Sequence, residues 1–292
     1  MVKDRERNRK IRAVVSDMDG SFLDGRGMVS QRNIEAVRGL VQEGLRFMVC
    51  TGRSYDEART PLKEAGISCD MVAMNGAAIY DSSGRAVKEH ILSRDKVGRI
   101  LQAVEPFKDR LIVQLVTSEG DYIIAREDLF RHFFAARIFP NKERSREEEE
   151  ALFAGYHRVA KEEFLGKERR CFKAVTLSED TQLISSIKDR MTAVGGVCVA
   201  ASFPTNWEIT HEQASKGAGL ADCAKRMGYG FHEIMALGDG DNDKTMLSLP
   251  LGWSVAMGNA GEGLKETAQI ITGANTEDGF AQAVEALLEG RR

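Results

Sequence analysis

Apolar positions in the first ninety residues follow two alternating rhythms. Short unbroken runs rich in branched side chains, at 11–16 (IRAVVS), 45–50 (LRFMVC), 71–74 and 77–80, read as strands buried on both faces. Between them, Ile34, Val37, Leu40 and Val41 fall at helical spacing within 30–43, with Ser30 placed to cap the start and Gly44 to stop the end. A second helix is predicted over 54–64, ended by Gly66, and Asp81-Ser82-Ser83-Gly84 predicts a hairpin turn into 86–90. Strand–helix–strand alternation of this kind builds a parallel sheet with helices on both faces.

The middle of the chain loses that rhythm. Residues 111–117 and 122–125 read as a hairpin around Glu119-Gly120-Asp121, 171–177 as a strand, 180–193 as a helix and 197–202 as a strand. The stretch 142–150 (KERSREEEE) is the most charged of the chain and reads as a solvated helix face with same-helix charge pairs. From Trp207 the first rhythm returns, with helices predicted over 216–227, 242–249, 262–268 and 278–288 and strands over 234–237, 253–256 and 269–272. The fold class expected is therefore α/β: a Rossmann-like parallel-sheet core from residues 1–90 plus 207–292, and an α+β domain inserted at 91–206.

Composition narrows the functional classes. Hydrophobic residues make up 42% and charged residues 29%, the balance of a globular chain with a real core, and the formal net charge of −3 argues against a nucleic-acid binder. Five scattered Cys with no CxxC pair read as free thiols in a reducing compartment, so the expected location is cytoplasmic. No apolar run approaches the roughly 20 residues a membrane span needs, so no membrane partner is expected. Residues 1–10 are polar and mixed in charge, and read as a flexible, solvated tail.

Four segments carry candidate chemistry. The first strand runs into Asp17-Met18-Asp19-Gly20, and the carboxyl ends of parallel strands are where ligands gather. One carboxylate there can bind a hard cation and attack phosphorus while the other handles protons, and Gly20 permits a turn that brings an N–H to a phosphate oxygen. Asp and Gly also make ordinary turns, so this segment alone leaves both readings open. The second strand ends in Thr51-Gly52-Arg53 before a helix, which fits phosphate binding or a plain cap; Arg53 points either to substrate or to a surface pair. A second acidic cluster, Gly238-Asp239-Gly240-Asp241-Asn242-Asp243, follows the strand at 234–237. Set beside Asp17, it makes a pocket too negative to stand without a cation, for which Mg2+ is the natural choice; the spacing of a calcium-binding EF-hand is missing. Lys216, at the start of an amphipathic helix, would offset charge on a phosphate and on Asp17.

With these segments in this order, the chain resembles the haloacid dehalogenase (HAD) superfamily, and most of all its Cof-type sugar-phosphate phosphatases with a large C2-type cap inserted after the second motif. DMDGSFL at 17–23 is similar to the DxDGT motif with Ser21 for Thr, Thr51-Gly52-Arg53 to the second motif, Lys216-Gly217 to the third and GDGDND at 238–243 to the fourth. Asn75-Gly76-Ala77 looks like the family's NGA segment, and the resemblance spans Ile11 to about Leu288. It implies an Mg2+-dependent phosphatase acting on a small phosphorylated metabolite, with sugar phosphates as the class. Asp17 would be nucleophile and metal ligand, and Asp19 the acid and then the base, its backbone carbonyl also on the metal. Asp239 would be a further metal ligand, with Asp243 acting directly or through water. Gly20, Thr51, Gly52, Asn75, Lys216 and Asn242 would hold the phosphoryl group. The inserted domain would act as a lid, where Arg126, Arg131, His132 and Arg137 are candidate contacts to a second anionic or sugar group. A phosphomutase shares these core residues, and a non-catalytic binding protein is the third alternative.

Overall fold

The computed structural model describes residues 4–138 and 145–291, and the chain divides into two compact units, 1–89 with 213–292 and 90–212. In chain order the strands are β1 (Ala13–Ser16), β2 (Arg46–Cys50), β3 (Asp70–Ala73), β4 (Ala78–Tyr80) and β5 (Ala86–Glu89) in the first unit. β6 (Ile112–Thr117), β7 (Gly120–Ile124), β8 (Tyr156–Arg158), β9 (Cys171–Leu177), β10 (Val197–Ala200) and β11 (Asn206–His211) lie in the second, and β12 (Ile234–Gly238), β13 (Trp253–Ala256) and β14 (Ile270–Ile271) return to the first.

The first unit is built on one sheet of order β14-β13-β12-β1-β2-β3-β4-β5, parallel from β14 to β3 and antiparallel across β4 and β5. Successive residues of β1 point to opposite faces. Val14 enters a cluster with Leu40, Phe47, Met235 and Phe280, while Ala13 and Val15 enter one with Leu220, Ala224 and Met246. Helices Gln31–Gln42 and Gly279–Glu289 cover the first face, and Lys216–Met227 and Lys244–Leu247 the second. The strand order reverses between β1 and β12, so the crevice beyond their carboxyl ends is the natural ligand position.

Local sequence explains the element ends. Ser30 accepts from Asn33 N–H at 3.1 Å to cap its helix, Ser54 and Glu57 form a reciprocal capping box, and Gly228 takes a left-handed φ of 68° to end Lys216–Met227. Val41 departs from the predicted apolar stripe: it is 63% exposed, and Asn33 and Ala36 turn inward instead. Asn33 is accommodated there because its side chain donates to Phe22 C=O and accepts from Ala281 N–H.

Two expectations need correction. Residues 5–10 are not a loose tail: Arg5–Lys10 is a helix capped by Asp4, with Asn8 buried. Trp253 Nε1 donates to Asn8 Oδ1 at 2.9 Å and the Arg7 guanidinium lies 4.0 Å from the Trp253 ring centre. A polar segment can dock when its few buried polar atoms are paired and its Arg stacks on an indole. The return from the inserted segment falls after Glu212 rather than at 207, because 206–211 forms β11 between β9 and β10.

The second unit carries a sheet of order β10-β11-β9-β6-β7-β8, antiparallel except between β7 and β8. Alternation again splits its core. Val113, Leu115 and Ala174 pack with helices Arg94–Val104 and Thr181–Thr192, while Ile112, Ile123, Val175 and Leu177 pack with Phe130, Phe133 and Phe153. Of the charged stretch, 145–150 enters helix Arg146–Phe153 and its cap, while 142–144 and the side chain of Arg137 lie outside the described residues. Arg126 pairs with Asp128, Arg131 with Glu127 and Glu150, and His132 lies 3.6 Å from Glu179, all among exposed side chains. Among the described residues, no helix is long and apolar enough to cross a membrane.

Candidate active site

Asp17 stands at the carboxyl end of β1, its N–H donating to Leu237 C=O on the neighbouring β12. The chain then turns through Asp19 and Gly20, the latter at φ 73°, where a side chain would run into the Asp239 carboxylate. Phe22 locks the far side of this turn, its ring 5.0 Å from Phe47 and 4.8 Å from Phe280. The DMDGSF segment is therefore a rigid loop hung on the aromatic core.

The second acidic cluster arrives from β12. Asp239 is held by Ser21 Oγ at 3.0 Å and Asn259 Nδ2 at 3.2 Å, and Asn259 also donates to Gly20 C=O at 2.9 Å. Asp243 folds back over its own loop and accepts from the N–H groups of Asp239 and Gly240, each at 3.0 Å. Between the two acidic segments lies Lys216, 1% exposed, with Nζ 2.7 Å from Asp17 Oδ1 and 2.7 Å from Asp243 Oδ1. Ser215 caps this helix by accepting from Ala218 N–H, and Gly217 lets its first turn press against the Thr245 carbonyl without a Cβ in the way.

Thr51, Gly52 and Asn75 belong to a third wall. Thr51 is buried, its oxygen accepts from Arg53 N–H at 3.1 Å, and its C=O accepts from Asn75 N–H at 2.9 Å. Asn75 adopts φ 55°, a conformation Asn tolerates better than most residues, and receives Asn242 Nδ2 on its Oδ1 at 3.3 Å. The loops after β2, β3 and β12 are thus tied to one another. Asp19 stands apart from the buried acids, with both its carboxylate oxygens held by Arg53, Nε at 2.7 Å and Nη2 at 2.6 Å. Of the two readings of Arg53, the structure shows a pair, and its partner is a predicted site residue.

One ligand oxygen from each of Asp17, Asp239 and Asp243 falls within 4.8 Å of the others. Burial first, and then Asp243, push Asp17 well above the usual carboxylate range against the opposing pull of Lys216. The same two causes raise Asp239 to about 6. Burial would lower Lys216, but Asp17 and Asp243 outweigh it and keep its ammonium charged. Three crowded carboxylates around one ammonium suit a hard divalent cation, which favours carboxylate oxygens and would restore the acids to their ionised forms. Asp243 is the most fully engaged of the three, with the Lys216 ammonium on one oxygen and two backbone N–H groups on the other, whereas each Asp239 oxygen meets one neutral side-chain donor.

Asn259 and Ser21 are the members that motif reading passed over as holders of Asp239. Their signal is faint: Asn259 is a polar residue three positions past the end of β13, a place where any loop carries Asn.

A family model described as haloacid dehalogenase-like hydrolase matches residues 14–284. A 5-amino-6-(5-phospho-D-ribitylamino)uracil phosphatase of Bacillus subtilis is 26% identical over 274 residues, covering 94% of this chain and 94% of its own length. A solved haloacid dehalogenase-like hydrolase from B. subtilis superposes with a TM-score of 0.81 at 24% identity, over 94% of this chain and 99% of that one. A HAD subclass IIB sugar phosphatase superposes with a TM-score of 0.76 at 21% identity, over 94% of this chain and 98% of that one.

Proposed function

The chain belongs to the haloacid dehalogenase-like hydrolase family and is a hydrolase of phosphoric monoesters, and we propose that it works through an aspartyl-phosphate on Asp17, with Mg2+ as its metal and a small phosphorylated metabolite, of the sugar-phosphate class, as its substrate. The observation that carries this reading is Lys216 Nζ, buried and 2.7 Å from both Asp17 and Asp243, with Asp239 in the same acidic group.

In the first half-reaction an Asp17 oxygen attacks phosphorus in line. The new P–O bond forms as the bond to the leaving group breaks, and Asp19 passes a proton to the departing alkoxide. In the second, Asp19 takes a proton from water, whose oxygen attacks the same phosphorus and returns Asp17 as a carboxylate with release of phosphate. Lys216 orients Asp17 and faces the transferring group with fixed positive charge that needs no reorganisation. Asp243, tied to two backbone N–H groups, keeps Lys216 in place. Thr51, Gly52, Asn75, Asn242 and the N–H after Gly20 are the candidate holders of the phosphoryl oxygens. Asp17, Asp239 and the Asp19 carbonyl would hold Mg2+, with Asp243 acting through water, and the ion when bound would neutralise the acids and charge on the phosphoryl group.

The relative named for a phosphoribityl compound supports the small-metabolite class. A panel of phosphorylated metabolites, assayed for phosphate release with Mg2+ and with chelator, tests the activity and its metal. Acid-stable labelling of Asp17 in rapidly quenched turnovers tests the intermediate; turnover without label at that residue would refute the covalent route.

A further inference from the structure

We propose that Asn259 is a positioning residue for the cation: it clamps the loops that carry Asp17 and Asp239 at a spacing that suits a small ion, and so sets a preference for Mg2+ over Ca2+. The inference rests on the metal reading above and adds a residue and a selectivity to it. The Asn259 carboxamide makes three hydrogen bonds, each to a different loop. Nδ2 donates to Gly20 C=O at 2.9 Å, after β1, and to Asp239 Oδ2 at 3.2 Å, after β12, while Oδ1 accepts from Asn275 N–H at 2.9 Å, after β14. The first two partners accept and the third donates, so a single orientation of the amide satisfies all of them.

The backbone beneath this side chain is tied down as well. Met257 N–H donates to Gly238 C=O at 3.0 Å, one residue before Asp239, and Gly258 N–H to Gly273 C=O at 2.9 Å. Asn275 extends the contacts, its Nδ2 donating to Leu23 C=O at 2.9 Å beyond the nucleophile loop. Asp239 is thus wedged between Gly20, where a Cβ would collide with it, and two neutral donors, Ser21 Oγ on one oxygen and Asn259 Nδ2 on the other. Neutral donors orient a carboxylate without cancelling the charge that attracts a cation, and one donor on each oxygen leaves lone pairs for the ion. Mg2+ demands short bonds and near-ideal geometry, whereas Ca2+ takes longer bonds and tolerates irregular ones. A site whose two acidic loops cannot spread therefore favours Mg2+, and loosening the clamp costs Mg2+ more than Ca2+.

The test is cation binding without substrate. The full chain, stripped of metal, is titrated with Mg2+ and with Ca2+ at one neutral pH, and affinity is read from the rise in melting temperature. Asn259 is exposed, so Asn259→Ala should keep the fold. It is expected to weaken Mg2+ binding by about 10–100-fold, the usual cost of losing such a partner, and Ca2+ binding by at least about threefold less. Equal losses for the two cations, or an Mg2+ affinity within about twofold of the parent's, overturn the proposal. If Asn259→Ala does not fold, Asn259→Ser, too short to reach both acceptors, carries the same test. A parent that neither cation stabilises overturns the proposal together with the metal reading. A parent that Mg2+ stabilises, but whose phosphate release is indifferent to chelator, refutes Mg2+ as the catalytic metal and leaves the clamp standing.

Discussion

Each unit of the molecule buries a lysine, and the two are held differently. In the inserted unit Lys173 on β9 faces Glu208 on β11 at 3.3 Å, with their side chains 8% and 9% exposed. In the first unit Lys216 sits among Asp17, Asp239 and Asp243, three acids about one ammonium. An ion pair between neighbouring strands serves the sheet that holds it. The unbalanced cluster raises the pKa of its own acids, a standing cost that folding alone gives no reason to keep. Buried charge marks the candidate site here where three acids crowd together.

That contrast can be broken most directly at Asp17. Asp17→Asn should reduce turnover of an aryl phosphate to background while the fold, judged by circular dichroism, persists; substantial activity in the purified variant would sink the nucleophile assignment. Lys216→Ala should lower kcat by about 10²–10³-fold, the usual cost of one fixed donor to transition-state charge. It should also destabilise the metal-free protein in urea unfolding, since Asp17 and Asp243 lose their shared cation. In the inserted unit, Glu208→Ala should cost roughly 3 kcal/mol by leaving a buried ammonium underpaired, whereas Lys173→Met with Glu208→Leu should cost much less. A double variant as damaged as the single would show that the pair is not simply structural.

A further effect is in pH. Asp239 is raised to about 6 in the folded chain, so between its unfolded value and that point the folded state holds the extra proton. The metal-free protein should therefore lose stability as pH rises from about 4 through about 6, with Asp17, raised further, extending the loss above that point, and recover it on adding Mg2+. Melting curves with chelator and with Mg2+ across that window would check it; a metal-independent curve would remove the cation from the pocket.

Much of the secondary structure was legible because its signals are local. Ser215 and Gly228 bracket Lys216–Met227 as cap and left-handed stop, and the unbroken apolar run of β9 reads as Cys171–Leu177. The strand at 206–211 was harder: Asn206, Glu208 and Thr210 turn one face of it polar, and no apolar run announces it. The docked N-terminal helix was hidden for a similar reason, since its burial depends on Trp253 and Arg291, which lie far along the chain.

The residue types of the site, and the strand ends that carry them, are properties of the sequence itself, because hydrophobic period and capping act over a few residues. Which of those residues meet is not. Asp17 and Lys216 reach 2.7 Å across almost two hundred positions, Asn259 reaches back to Gly20 and Asp239, and Arg53 finds Asp19 where a substrate contact was the other reading. Only sheet order and loop packing decide such contacts, because the energy that fixes them comes from burial summed over the whole core, and no local pattern encodes that sum.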